Sequence, residues 1–169
     1  VIMGAKLVNA AKIIAVDIAD HKLEFAYRFG ATDTINALDG DVVGAIKEIV
    51  DDGVDMAVEA FGSATTCSQA YEATRKGGTT VICGIAQFGD TVPIDIVSLV
   101  RQQKTLVGSY YGSGSSLVAF PKLIDFYLRG LLDIDGLIVR RFSLSQINEA
   151  YEALERGEDG RGLITSFRG

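Results

Sequence analysis

Asp17 closes the short run Lys12-Ile13-Ile14-Ala15-Val16, and this placement gives the chain its first chemically legible residue. The run is apolar and β-branched, as a strand would be. A carboxylate at the end of such a strand can accept hydrogen bonds from the vicinal hydroxyls of a ribose, as nucleotide-binding βαβ units require. The same carboxylate can instead cap the helix that follows, and the stretch alone leaves both roles open. The other reactive side chains are sparse. His21 is the single histidine, and Cys67 and Cys83 lie far apart with no C-x-x-C spacing. Zinc sites draw on three or four clustered ligands, so the chain is expected to hold no metal of its own. The cysteines read as small, reduced core residues of a cytoplasmic protein, and His21 as an ordinary residue near a helix start.

These side chains need a frame, and the sequence predicts one of alternating strands and helices. A helix-like segment over 1–10 precedes the strand 13–17. A helix over 20–29 follows, with Leu23, Ala26 and Tyr27 at helical spacing and Gly30 as its stop. A weak strand over 32–36 leads to a helix over 41–52 with Val42, Ile46, Ile49 and Val50 in one stripe. Next come a strand at 54–59, a helix from Ser63 or Ala64 to Lys76 stopped by Gly77-Gly78, and an apolar strand at 79–85. A helical turn within 93–102, a strand at 105–111 and a helix at 117–129 complete the first part. That last helix carries Phe120, Leu123, Ile124, Tyr127 and Leu128 as its apolar stripe. Beyond it, 137–142 is extended, Ser143 and Gln146 fit a capping box for a helix to Arg156 with Ile147, Ala150, Tyr151 and Leu154 inward, and 162–167 is a final strand.

Strands alternating with helices of about 10–15 residues predict an α/β fold with a doubly wound parallel sheet. Ligands bind such sheets at the carboxyl ends of the strands. The candidate site therefore gathers Asp17-Ile18, Ala60-Phe61-Gly62, Gly84-Ile85 and Ser109-Tyr110-Tyr111.

Composition narrows the function. The 169 residues are 48% hydrophobic, enough for a core, and the net charge is −6. Lys and Arg are scattered among acids, which argues against a phosphate-tracking nucleic-acid surface. No apolar run approaches the ~20 residues needed to span a bilayer, and no signal-peptide pattern opens the chain.

Three further patterns converge with Asp17. Val54-Asp55 through Glu59 to Gly62 has the form V-D-x-x-x-E-x-x-G. Gly77-Gly78 through Val81 to Gly84 has the form G-G-x-x-V-x-x-G. The end reads Ile147-Asn148-Glu149-Ala150-Tyr151, then Gly157-Glu158 and Gly160-Arg161-Gly162. In this order and spacing the chain resembles the C-terminal half of the medium-chain, zinc-containing alcohol dehydrogenase family. The resemblance implies a Rossmann-like domain over 1–136 lacking its first strand and glycine-rich turn. It also implies a strand-helix-strand return to the catalytic domain over 137–169. The catalytic and structural zinc ligands of that family would lie outside this sequence, so zinc is expected only in a full-length parent and the chain alone is expected to be inactive.

The resemblance also assigns roles. Asp17 would bind the adenosine ribose and repel a 2′-phosphate, favouring NAD over NADP. Lys22 would lie near the same ribose, or be an exposed helix lysine. Ala60, Phe61 and Gly62 would line the adenine side, although Phe61 could be core. Gly84 and Ile85 would flank the nicotinamide ribose and ring. Ser109, Tyr110 and Tyr111 would present backbone groups to the carboxamide, unless the tyrosines only pack. Arg161 would reach the pyrophosphate, or be a solvated turn arginine. The parent would act on an alcohol or aldehyde and form a homodimer through the sheet edge at Ile94 to Tyr111. A non-catalytic nucleotide-binding module, a zinc-free reductase of the same superfamily and an S-adenosylmethionine methyltransferase are the competing readings. The Gly160-Arg161-Gly162 end argues against the last.

Overall fold

The computed structural model describes residues 1–167. Helix α1 (Ile2–Leu7) leads to strand β1 (Ile14–Asp17), then α2 (Asp20–Arg28), β2 (Asp33–Asn36), α3 (Val42–Ile49), β3 (Val54–Glu59), α4 (Ala64–Ala73) and β4 (Thr74–Ile82). There follow α5 (Ile96–Arg101), β5 (Thr105–Gly108), α6 (Ser116–Leu128), β6 (Ile138–Ser143), α7 (Ile147–Glu155) and β7 (Arg161–Ser166). All strand pairs are parallel. β1 pairs with β2, β4 lies between β3 and β5, and β6 pairs with β7.

Side-chain caps fix several helix starts. Asp41 accepts from the Gly44 amide at 3.0 Å, Ser63 from Thr66 at 3.1 Å and Asp95 from Val97 at 3.0 Å, each satisfying an orphan amide of the first turn. The Ser143–Gln146 capping box forms as predicted, though it opens a 3₁₀ turn ahead of α7. Val42 and Ile46 of α3 and Ala73 of α4 form a buried cluster, and Ile14, Ile35 and Val54 pack against it. This cluster joins the β1–β2 pair to the β3–β4–β5 sheet.

The structure corrects several boundaries. α4 ends at Ala73 rather than Lys76, and Gly77-Gly78 lie inside β4 instead of stopping a helix. Val54 pairs with Thr74 but Met56 with Thr79, so β4 bulges around these glycines. Gly77 has φ +71, and an added β-carbon on Gly78 would press on Thr74 and the Asp55 carbonyl. β5 stops at Gly108, not Tyr111, because Tyr111, Gly112 and Ser113 all take positive φ in a tight turn. α1 likewise ends early, with Asn9 at φ 59.

Burial differs from expectation as well. The α6 stripe of Phe120, Leu123, Ile124, Tyr127 and Leu128 is exposed, because no described element covers that face. Tyr151 and Leu154 of α7 are exposed too. Cys83 is exposed and Cys67 half-buried, so neither is the core residue expected. Among the described residues no helix is long and apolar enough to cross a membrane.

Candidate functional site

The carboxyl ends of β1, β3, β4 and β5 carry the candidate residues, as parallel alternation requires. At β1, Asp17 Oδ1 accepts from the amides of Ile18 at 2.8 Å and Ala19 at 3.1 Å. The carboxylate therefore does brace the turn into α2. Its second oxygen takes no hydrogen bond among the described residues, so one carboxylate can serve both the turn and a ligand. Ile18 is exposed beside it.

The C-terminal segment comes back to this corner. An added β-carbon on Gly157 would lie 3.5 Å from Lys22 Nζ, and one on Gly160 would lie 3.3 Å from Phe25 Cζ. His21 Nε2 lies 3.6 Å from Asp159 Oδ1 at the same corner. Ion pairs hold this turn. Arg140 meets Glu149 at 2.9 Å and Glu158 at 3.0 Å, and Arg156 meets Glu158 at 2.9 Å. Hydrogen bonds from Arg156 and Arg140 hold the Glu158 carboxyl below its usual range. Arg161 follows directly; it is exposed and donates to the Gly160 carbonyl at 2.9 Å. The turn thus brings Lys22 together with the segment bearing Arg161, next to the helix whose leading turn Asp17 braces.

The second half of the site is a pair of interlocked loops. Gly62 has φ +93, and a β-carbon there would meet the Ile85 carbonyl oxygen at 2.5 Å. One on Gly84 would meet Gly62 Cα at 2.7 Å. Only glycine permits this approach. The Cys83 amide bonds the Glu59 carbonyl at 2.8 Å, and the Ser109 amide bonds the Ile82 carbonyl at 2.8 Å. Ala60, Phe61 and Ile85 are exposed around this seam, with Phe61 at 77%. Phe61 is therefore not core. Tyr110 and Tyr111 stack edge to face at 4.5 Å and are otherwise exposed. The sequence reading missed Glu59. It stood in the V-D-x-x-x-E-x-x-G pattern, an acid at a strand end two residues before a backbone turn.

The two halves form open acceptor and glycine-lined ground at the strand ends, suited to an extended ligand with ribose hydroxyls. The zinc-binding dehydrogenase family pattern matches residues 1–129. The chain belongs to the zinc-binding dehydrogenases. Relatives include alcohol dehydrogenase class-3 of Drosophila melanogaster, 36% identical over 96% of this chain and 44% of the fly protein. Alcohol dehydrogenase-like 1 of Arabidopsis thaliana is 34% identical over 95% of this chain and 42% of the plant protein. The zinc-binding dehydrogenase chain thus spans less than half the length of these relatives. Benzyl alcohol dehydrogenase from Acinetobacter calcoaceticus superposes with a TM-score of 0.91 at 35% identity, covering 97% of this chain and 46% of that one. A Sinorhizobium meliloti structure described as a zinc-binding dehydrogenase bound to NADP gives 0.86 at 27% identity, with 97% and 48% covered. These likenesses place the chain's parallel, Rossmann-like architecture among alcohol dehydrogenases. In this zinc-binding dehydrogenase, among the described residues, no three His, Cys, Asp or Glu side chains come together as metal ligands would.

Proposed function

We propose that this chain is the coenzyme-binding half of an NAD-dependent alcohol dehydrogenase, which moves hydride between NAD and an alcohol–aldehyde pair. Residues 1–136 form the coenzyme domain and 137–169 return to the catalytic domain. The observation that carries the reading is Asp17, a strand-end carboxylate with one oxygen tied into the turn and one without a hydrogen bond. The glycine seam supports it, since only a β-carbon-free wall lets the two loops meet so closely.

A nicotinamide coenzyme, when bound, supplies the hydride acceptor or donor. The chain's own residues bind and orient. Asp17 accepts from the ribose hydroxyls, with Ile18 and Lys22 beside it. Arg161 suits a pyrophosphate through its planar fork. Ala60, Phe61 and Gly62 form the adenine side, and Gly84 and Ile85 the nicotinamide side. Ser109, Tyr110 and Tyr111 offer backbone groups to the carboxamide. The described residues do not form a zinc site, so no step of the reading runs through zinc from this chain; the metal belongs to the remainder of the enzyme. We place the enzyme in the cytoplasm.

The test compares NADH and NADPH by titration of the full-length enzyme. NADH should bind about tenfold or more tightly than NADPH, and Asp17→Ala should narrow that difference. Equal or tighter binding of NADPH would defeat the NAD reading and favour the second one, NADP dependence, which the NADP-bound Sinorhizobium meliloti structure brings forward.

The same reading includes a homodimer through Ile94 to Tyr111. Every residue of β5 is exposed, as are Ile96, Val97 and Val100 of α5. An open apolar edge favours pairing with another chain, and a two-fold axis there would extend one sheet across both copies. Val107→Lys should shift the sedimentation of the full-length enzyme from dimer toward monomer. An unchanged, equally stable dimer would place the interface elsewhere.

A further inference from the structure

We infer that Glu59 is a positioning residue of the coenzyme pocket, its buried carboxylate and its carbonyl together fixing the two loops that line it; the inference rests on the coenzyme reading above. Glu59 ends β3 and is only 4% exposed. Its Oε1 accepts from the Phe61 amide at 2.9 Å, the Gly62 amide at 2.7 Å and the Thr66 hydroxyl at 2.8 Å. Its main-chain oxygen accepts from the Cys83 amide at 2.8 Å and the Gly84 amide at 3.2 Å. One residue thus holds loop 60–62 by its side chain and loop 83–84 by its backbone.

The second carboxylate oxygen, Oε2, is buried and has no hydrogen-bond partner among the described residues. It faces the seam, since a β-carbon on Gly84 would sit 2.5 Å from it. Burying a carboxylate is costly, and leaving one oxygen unpaired adds to the cost. The start of α4 does not need it, because Ser63 already caps that helix. An apolar residue of similar volume would leave the Phe61 and Gly62 amides and the Thr66 hydroxyl without their acceptor. What the side-chain acceptor does here is draw the amides of Phe61 and Gly62 inward, setting Gly62 against Ile85.

The experiment uses the full-length enzyme and the variants Glu59→Leu, Glu59→Gln and Thr66→Val. It reads NADH dissociation constants, kcat at saturating coenzyme, and hydrogen exchange of the 60–62 peptide without coenzyme. Glu59→Leu should raise the NADH dissociation constant about tenfold or more, leave kcat within about threefold, and speed exchange at 60–62. Glu59→Gln keeps an acceptor oxygen and should restore most of the affinity. Thr66→Val removes one donor and should leave the loops ordered, with affinity within about threefold. Unchanged affinity in Glu59→Leu overturns the inference. So does equal loss in Glu59→Leu and Glu59→Gln with parallel falls in melting temperature, which marks a residue needed only for folding. Failure of the unsubstituted enzyme to bind either dinucleotide would remove the coenzyme reading instead. The exchange comparison, made without coenzyme, still decides whether Glu59 holds the loops.

Discussion

Gly84→Ala should weaken NADH binding by the full-length enzyme about tenfold to a hundredfold. The cause is steric. The added methyl group would lie 2.5 Å from Glu59 Oε2 and 2.7 Å from Gly62 Cα. Neither neighbour can yield easily, since Glu59 is held by three donors and Gly62 is backbone pressed against Ile85. Forcing an extra methyl group into a tight site costs roughly 1–3 kcal/mol, here spent by opening the seam where the loops meet. Isothermal titration beside thermal melting is the check. A variant that binds NADH as tightly as the parent and melts at the same temperature would show that the loops part without consequence.

Ile46→Ala should cost about 2–5 kcal/mol of folding stability, the range for removing a buried branched side chain. That is a large share of the roughly 5–15 kcal/mol by which domains are usually stable. Ile46 belongs to the buried cluster with Val42 and Ala73, on which Ile14, Ile35 and Val54 also pack. The cavity would therefore open where the β1–β2 pair meets the β3–β4–β5 sheet. Asp17 ends one of these units and Glu59 the other, so coenzyme affinity should fall together with stability. Urea unfolding followed by circular dichroism gives the first quantity and titration the second. A loss under 1 kcal/mol, within the range of surface changes, would mean that other contacts hold the units together.

Much of this was legible beforehand, for local reasons. Ser63 and Ser143 announce their helix starts through short polar side chains, and each does cap or box a turn. The strands at Ile14, Val54 and Thr79 follow from apolar, β-branched runs. Asp17, the two glycine loops and Ser109 fall at strand ends because parallel alternation puts them there. What stayed illegible depends on tertiary geometry. Gly77-Gly78 looked like a helix stop, yet the chain had already turned at Thr74 and uses the glycines in a bulge. The stripe on α6 announced a buried face, but a pattern does not say which segment does the burying, and no described element does so. Glu59 looked like one more strand-end acid. Its importance comes from Phe61, Gly62 and Thr66 folding back onto one oxygen, which no spacing rule contains.

The strand neighbours have a consequence in time. Among the described strands only β4 is bonded on both sides, and Thr80 within it is wholly buried. Strands held on both sides open less readily than edge strands, so the wall that β4 delivers, with Gly84 at its tip, should persist through local opening of the site.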